Sequence, residues 1–414
     1  MVEALPVLLG ISIILFLGSF AEFLFKKIHL PDTIFLIAIG LAIGPQGFKY
    51  FDPSVIEGYA PVFTTFTLIF LLYDGAFSIS LKSLARGAVK SLKVTLYNFF
   101  ASVATITAVM ILLRFDLLTS LLIGSILGGT TTAFVIPILK QMKVRGETYS
   151  VLALESAMND VLCIVSAFTV IEVITLKSFD AQQTLSRIAE LFAIAGFVGV
   201  TAGILWIVLV IKVFKENKSY MITIAYLILI YAATEFLQGN GAIAALFFGL
   251  VLKNSRDLTS MFGVIAEGGG NGKATEDVGG KYAVSVTSEA EEFFYSEISF
   301  LLKTLFFVYI GVLLDLSNTR TITIAGALAF AVMLARRTSS IIIKDFPAED
   351  RGLITAIFAR GLAAAAIAQT VVLKGLSHAQ EIVEITYAFI VFTILLSSAS
   401  IFFLKRREAG KETA

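Results

Sequence analysis

Glu155-Ser156-Ala157-Met158-Asn159-Asp160 runs straight into the apolar stretch Val161-Leu162-Cys163-Ile164-Val165-Ser166-Ala167-Phe168-Thr169-Val170. Two acids and an amide therefore enter a segment that otherwise belongs in hydrocarbon. Ionisable groups near a bilayer centre cost several kcal/mol and normally face a cavity or one another, so this stretch marks a functional site inside a membrane span. Glu155 and Asp160 are five residues apart and point to different azimuths of a helix, whereas Ser156 and Asp160 are four apart and share a face. Asp160 with Ser156 is thus expected to line a small oxygen-rich site. Glu155 is left to pair elsewhere.

Working outward, the span before it reads Gly124-Ser125-Ile126-Leu127-Gly128-Gly129-Thr130-Thr131-Thr132-Ala133-Phe134-Val135-Ile136-Pro137. Adjacent glycines, three threonines and a proline are poor material for a continuous helix, and an unwound segment at mid-membrane is expected. Broken helices are tolerated there where freed carbonyls and half-helix ends face a cavity, and such ends help to bind ions in transporters. Thr130, Thr131 and Thr132 join the candidate ligands on that ground. A third segment, Phe358-Ala359-Arg360-Gly361-Leu362-Ala363-Ala364-Ala365-Ala366, puts a guanidinium and a glycine into a narrow small-residue helix. A buried arginine needs a carboxylate, and Glu155 is the expected partner of Arg360.

The whole chain fits this setting. Of its 414 residues 57% are hydrophobic and 15% charged, far from the composition of a soluble domain. Apolar stretches of roughly 20 residues, enough to cross a hydrocarbon core, recur from end to end. They give an all-α polytopic fold of thirteen spans within residues 1–404, starting near residues 5, 31, 60, 94, 117, 147, 186, 219, 240, 297, 319, 351 and 381. The first stretch lacks a basic region before it and a small-residue cleavage site after it, so it reads as a mature span rather than a signal peptide. Alternate connectors and the C-terminal segment hold 22 of the 32 basic residues and the other connectors 6, which places the N-terminus outside and the C-terminus in the cytoplasm of a cell with this protein in its plasma membrane. The last four, Lys303, Arg336, Arg337 and Arg360, fall within or at the edge of apolar runs. Lys303, Arg336 and Arg337 are expected to snorkel to the surface or to modulate the site.

Only one connector is long, residues 254–296, with the Gly-rich charged piece Glu267-Gly-Gly-Gly-Asn-Gly-Lys-Ala-Thr-Glu-Asp. It reads as a flexible cytoplasmic loop, and residues 405–414 as a short cytoplasmic tail. Asp74, in Leu71-Leu72-Tyr73-Asp74-Gly75, ends the third span and either faces the same cavity or marks a helix end. The single cysteine, Cys163, sits in an apolar run as a small packed residue. The two histidines, His29 and His378, fall in connectors, and with no metal motif and no base for Ser156 an intramembrane enzyme is set aside. Nothing points to a cofactor or to nucleic acid. The partners expected are lipid and a small ion at the broken span.

At Glu155 to Asp160 the chain resembles the monovalent cation/proton antiporter superfamily, nearest its NhaP-type branch with an Asn-Asp pair. The resemblance extends over Pro31-Asp32, Gly44-Pro45, the broken fifth span, Gly239-Asn240-Gly241 and Phe307-Val308-Tyr309-Ile310-Gly311. It implies two inverted repeats, a core domain in which two broken helices cross at mid-membrane, and a dimerisation domain that makes a homodimer. It also implies that Asp160 carries Na+ or K+ and the proton, that Asn159 holds the crossing, and that Glu155 and Arg360 form a buried ion pair. The twelfth span occupies the place of the fifth in the second half; position and interruption, not residue identity, carry that symmetry. One departure stands out. Where the family has Thr-Asp-Pro at the break, this chain has Thr130-Thr131-Thr132, so Thr131 replaces an acid and one formal charge is gone. Electroneutral exchange of one cation for one proton at Asp160 is the leading expectation, with a K+/H+ efflux system, a cation channel through the same break and cation-coupled solute uptake as the alternatives.

Overall fold

The computed structural model describes residues 4–28, 32–50, 60–77, 81–142, 144, 146–176, 181–214, 220–256, 258, 288–344 and 346–412. All regular structure among them is helical. In chain order the helices are α1 (Ala4–Ile28), α2 (Asp32–Ile43), α3 (Ala60–Ala76), α4 (Leu81–Leu112), α5 (Leu117–Leu127), α6 (Thr132–Met142), α7 (Gly146–Leu176), α8 (Ala181–Leu209), α9 (Tyr220–Phe236), α10 (Gly241–Lys253), α11 (Glu289–Leu313), α12 (Thr319–Arg337), α13 (Ala348–Ala356), α14 (Leu362–Leu373) and α15 (Ala379–Glu412). Each of the thirteen expected spans holds one helix, except the fifth and twelfth, which hold the half-helix pairs α5/α6 and α13/α14. Among the described residues six helices are long and apolar enough to cross a membrane, and shorter apolar stretches lie in α1, α2, α3, α5, α9, α10 and α14.

Helix ends follow the local sequence. Asp116, Asn240 and Asn318 cap α5, α10 and α12 by accepting from the backbone N–H of Thr119 at 2.9 Å, Ile243 at 3.0 Å and Thr321 at 3.3 Å. Arg114, at φ 72°, turns the chain out of α4. Some boundaries differ from expectation. Residues 289–296 are the first turns of α11 rather than loop, because Ser288 caps the helix at the N–H of Glu291 and because Glu291 and Tyr295 turn inward to buried positions. The Gly-rich piece, residues 267–277, lies outside the described residues, as do His29 and Pro31. The expected tail, residues 405–412, continues α15.

The chain divides into two compact units, residues 1–67, 89–177 and 300–414 forming the first and residues 68–88 and 178–299 the second. The second is built around aromatic side chains. Trp206 stacks on Tyr226 at 4.6 Å between ring centres, Tyr73 stacks on Phe248 at 5.8 Å, and Tyr295 meets Tyr73 edge-on at 5.3 Å. In this unit Tyr295 donates to buried Glu291 at 2.5 Å, and Ser299 donates to Asp74 at 2.6 Å.

In the first unit, α2 and α11 touch backbone to backbone. A Cβ added at Gly40 would fall on the carbonyl oxygen of Val308, and one added at Gly311 would fall on that of Ile37. Glycine is required at both places because nothing but backbone stands in the way. Such small-residue contacts give close van der Waals packing and replace the hydrophobic drive that lipid does not supply. Replacing Gly311 by Ala should therefore lower the melting temperature measurably and cost about 1–3 kcal/mol of overpacking. The same change at Gly10 of α1, where a Cβ meets nothing within 4 Å, should be neutral or mildly stabilising through helix propensity. Equal melting of the two variants in detergent would show that the contact is looser than described.

Candidate functional site

The site is built where two half-helix pairs cross. The fifth span stops at Leu127 and resumes at Thr132; the twelfth stops at Ala356 and resumes at Leu362. The Thr131 N–H donates to the Ala359 carbonyl at 3.1 Å, so the two breaks are joined directly by backbone. Gly361 makes the approach possible, since a Cβ there would sit 2.5 Å from the Thr131 hydroxyl oxygen. Gly129 does the same toward α7, where an added Cβ would meet Cys163 Sγ at 2.7 Å and Asn159 Cβ at 2.8 Å. The Gly-Gly-Thr-Thr-Thr signal thus breaks the helix and also lets α7 and the second break come within contact distance.

Asp160 lies on α7 beside the first break, half-buried, and accepts from the Thr132 hydroxyl at 3.1 Å. Thr132 opens α6, so the positive end of that half-helix dipole is at the carboxylate. Asn159 is buried and its Nδ2 donates to the Thr130 hydroxyl at 2.9 Å, tying α7 to the break. Asn159 Oδ1 has no hydrogen-bond partner among the described residues. The Ser156 hydroxyl donates back to the Ala153 carbonyl of its own helix at 3.0 Å. Of the expected ligands, Asp160, Thr130, Thr131 and Thr132 are brought together at the crossing. Asp74 belongs to the second unit with Ser299. Among the described residues no group of three or more His, Cys, Asp or Glu side chains forms a metal-binding cluster.

The ion pair falls elsewhere than the sequence suggested. Glu155 is fully buried, and its partner is Arg336 of α12, not Arg360. Arg336 Nη1 donates to Glu155 Oε1 and its Nη2 to Oε2 at 2.9 Å, while Asn98 of α4 adds a third donor at 3.0 Å. Arg336 Nε donates to the Ile354 carbonyl at 3.1 Å. This bidentate fork satisfies a buried carboxylate almost completely. Arg336 is therefore a buried structural cation and not a surface modulator, whereas its neighbour Arg337 is exposed. Lys303 is half-buried on α11 with its ammonium 5.8 Å from the Phe300 ring centre.

Arg360, equally buried, has a different task. Its Nε donates to the Leu127 carbonyl at 2.7 Å, its Nη1 to the Phe358 carbonyl at 3.2 Å and its Nη2 to the Ser102 hydroxyl at 3.1 Å. Leu127 is the last residue of α5, so the guanidinium caps the carbonyl end of a half-helix, where a cation is favoured. All three acceptors are neutral oxygens. Arg360 stands inside a break, where unpaired carbonyls are within reach, whereas Arg336 ends an unbroken helix.

Arg336→Ala should strand Glu155 as a buried unpaired charge and cost roughly 3–5 kcal/mol, while joint replacement of Glu155 by Leu and Arg336 by Met should recover most of that loss. Thermal melting in detergent decides it, and a single variant as stable as the parent would mean that the fork contributes nothing.

Comparison with known proteins places this geometry. The chain matches the sodium/hydrogen exchanger, transmembrane family over residues 11–407. A K(+)/H(+) antiporter NhaP2 from Shewanella sp. (strain ANA-3) is 24% identical over 91% of the chain, and the chain spans 62% of that relative's length. The Na(+)/H(+) antiporter 1 of Methanocaldococcus jannaschii is 25% identical over 90% of the chain and 84% of its own length. The solved structure of a sodium proton antiporter from the same organism at pH 8 superposes with a TM-score of 0.73 at 21% identity, covering 99% of this chain and 98% of that one. That likeness establishes a shared fold, in agreement with the all-helical architecture and its two broken spans. With its family match running through nearly every helix described above, the chain belongs to the transmembrane sodium/hydrogen exchanger family.

Proposed function

We propose that this protein is a secondary antiporter exchanging a monovalent cation, Na+ or K+, for H+, with Asp160 as the group that binds one or the other. The observation that carries the reading is the Asp160 carboxylate held by Thr132 at the mouth of a half-helix, beside the only direct backbone link between the two breaks among the described residues. A half-buried carboxylate there offers one negative charge beside the Thr132 hydroxyl, and oxygens of Thr130 and Thr131 at the same break would complete an oxygen-rich shell. Such ligands suit an alkali cation. A proton and a cation seek the same oxygens, so occupancy by one excludes the other and alternating access converts that exclusion into exchange. Names of relatives support both ions: the Shewanella protein is named for K+ and the Methanocaldococcus protein for Na+.

The charge count supports one-for-one, electroneutral exchange. Thr131 is neutral, Asn159 is an amide, and Glu155 is neutralised by Arg336, which leaves Asp160 as the carboxylate that changes protonation at the crossing. The positive-inside distribution supports an N-terminus outside and a C-terminus in the cytoplasm, and family resemblance supports a homodimer with no cofactor.

Three measurements test this. Asp160→Asn keeps the shape of the side chain but cannot alternate between proton and cation, so cation-driven proton movement in proteoliposomes should vanish while the protein stays folded. Persisting exchange in that variant would sink the mechanism. In vesicles clamped at zero and at a large membrane potential, the rate and reversal point with Na+ or K+ should be unchanged. A reversal point displaced from the one-for-one value would show a second titrating group. Raising the proton concentration on the cation side should weaken apparent cation affinity, because both compete for Asp160.

A further inference from the structure

Breaking a helix inside a membrane releases backbone donors and acceptors that water cannot reach. In the twelfth span the released groups are answered from α15. The Phe358 N–H donates to the Ser397 hydroxyl at 3.4 Å, and the Ser397 hydroxyl donates to the Ala356 carbonyl at 2.7 Å. The Arg360 N–H donates to the Thr393 hydroxyl at 3.1 Å, while that hydroxyl donates to the Ile390 carbonyl of its own helix at 3.0 Å. Thr393 and Ser397 are both fully buried and four residues apart, so they stand one above the other on a single face of α15. Each hydroxyl both gives and accepts, which is what a surrogate for the missing helical partner must do.

Between the two held amides lies Ala359, whose carbonyl receives the Thr131 N–H. Thr131 precedes Thr132, and Thr132 donates to Asp160. A continuous chain of hydrogen bonds and adjacent residues therefore runs from the two α15 hydroxyls to the carboxylate: Phe358 and Arg360, Ala359, Thr131, Thr132, Asp160. We propose that Thr393 and Ser397 are positioning residues that set the register of the second break and, through the Ala359 carbonyl, the geometry of the Asp160 cation site. The inference rests on Asp160 being that site. It goes beyond it by placing control of cation affinity on a helix that supplies no ligand.

The test uses the full chain in proteoliposomes with an imposed Na+ or K+ gradient. Thr393→Val keeps the volume and removes the acceptor for the Arg360 N–H; Thr393→Ser keeps the acceptor. The cation concentration giving half-maximal proton movement should rise about tenfold in Thr393→Val, with the maximal rate altered less than about twofold, and Thr393→Ser should restore it. Ser397→Ala should shift the same quantity in the same direction, and it carries the test if Thr393→Val does not fold. Hydrogen–deuterium exchange of the peptide covering residues 357–361 reads the ladder without transport, and faster exchange is expected in Thr393→Val. Unchanged half-saturation in the folded variants, or a Thr393→Ser variant as impaired as Thr393→Val, would overturn the proposal. No cation-driven proton movement in the unmodified chain would instead overturn the functional reading, and the exchange measurement would still decide whether α15 holds the break.

Discussion

The hydrogen bond from the Thr131 N–H to the Ala359 carbonyl is the contact on which the rest of the first unit depends. A backbone group left unpaired in hydrocarbon costs several kcal/mol, so two spans can be interrupted only where the freed groups find partners, and here the breaks supply one directly to each other. Everything near the crossing serves that exchange. Gly129 and Gly361 remove the side chains that would keep the segments apart, Asn159 pins the first break to α7, and Arg360 caps the carbonyl end of α5. The carboxylate of Asp160 then finds the Thr132 hydroxyl and a half-helix end already in place, so an ion bound as proposed would find little left to reorganise. Preorganisation of this kind is how a site binds a dehydrated cation in a small space.

Much of this was legible in the sequence, and for identifiable reasons. Span number follows from apolar length, which the bilayer fixes independently of tertiary detail. The first break was legible because Gly128, Gly129 and three threonines weaken a helix locally, and Asp160 because a carboxylate followed by an apolar run has no bland explanation. Partner choice was not legible. Glu155 faced two buried arginines far away in sequence, and nothing in spacing says which of Arg336 and Arg360 arrives at its side. The beginning of α11 was misplaced for a related reason: Glu289, Glu291 and Glu292 read as loop by charge alone, while the Ser288 cap and the inward turn of Glu291 appear only once the helix is formed. The α15 hydroxyls were invisible too. Serine and threonine are common in membrane helices, and their meaning lies in facing a break elsewhere in the chain.

The two buried arginines show how one residue type serves two electrostatic problems. Arg336 meets a full negative charge with a planar fork, and both oxygens of Glu155 are engaged. Arg360 meets only partial charges, the carbonyl ends left by two broken spans and a hydroxyl. Lysine would serve neither well, since a point ammonium cannot grip a carboxylate bidentately or span three separate oxygens.

The Glu155–Arg336 fork also bears on how such a sequence is able to drift. Removing either member alone leaves a bare charge in the interior, whereas exchanging both for apolar residues of similar volume is close to neutral. Each intermediate is thus a valley between two acceptable states, and Asn98, which donates to the same carboxylate, loses that acceptor once Glu155 is gone. The three positions are therefore energetically coupled: a change at one alters the cost of a change at the others. Persistence of the fork across descendants would then record the inaccessibility of its alternatives as much as any advantage that it confers on the transporter.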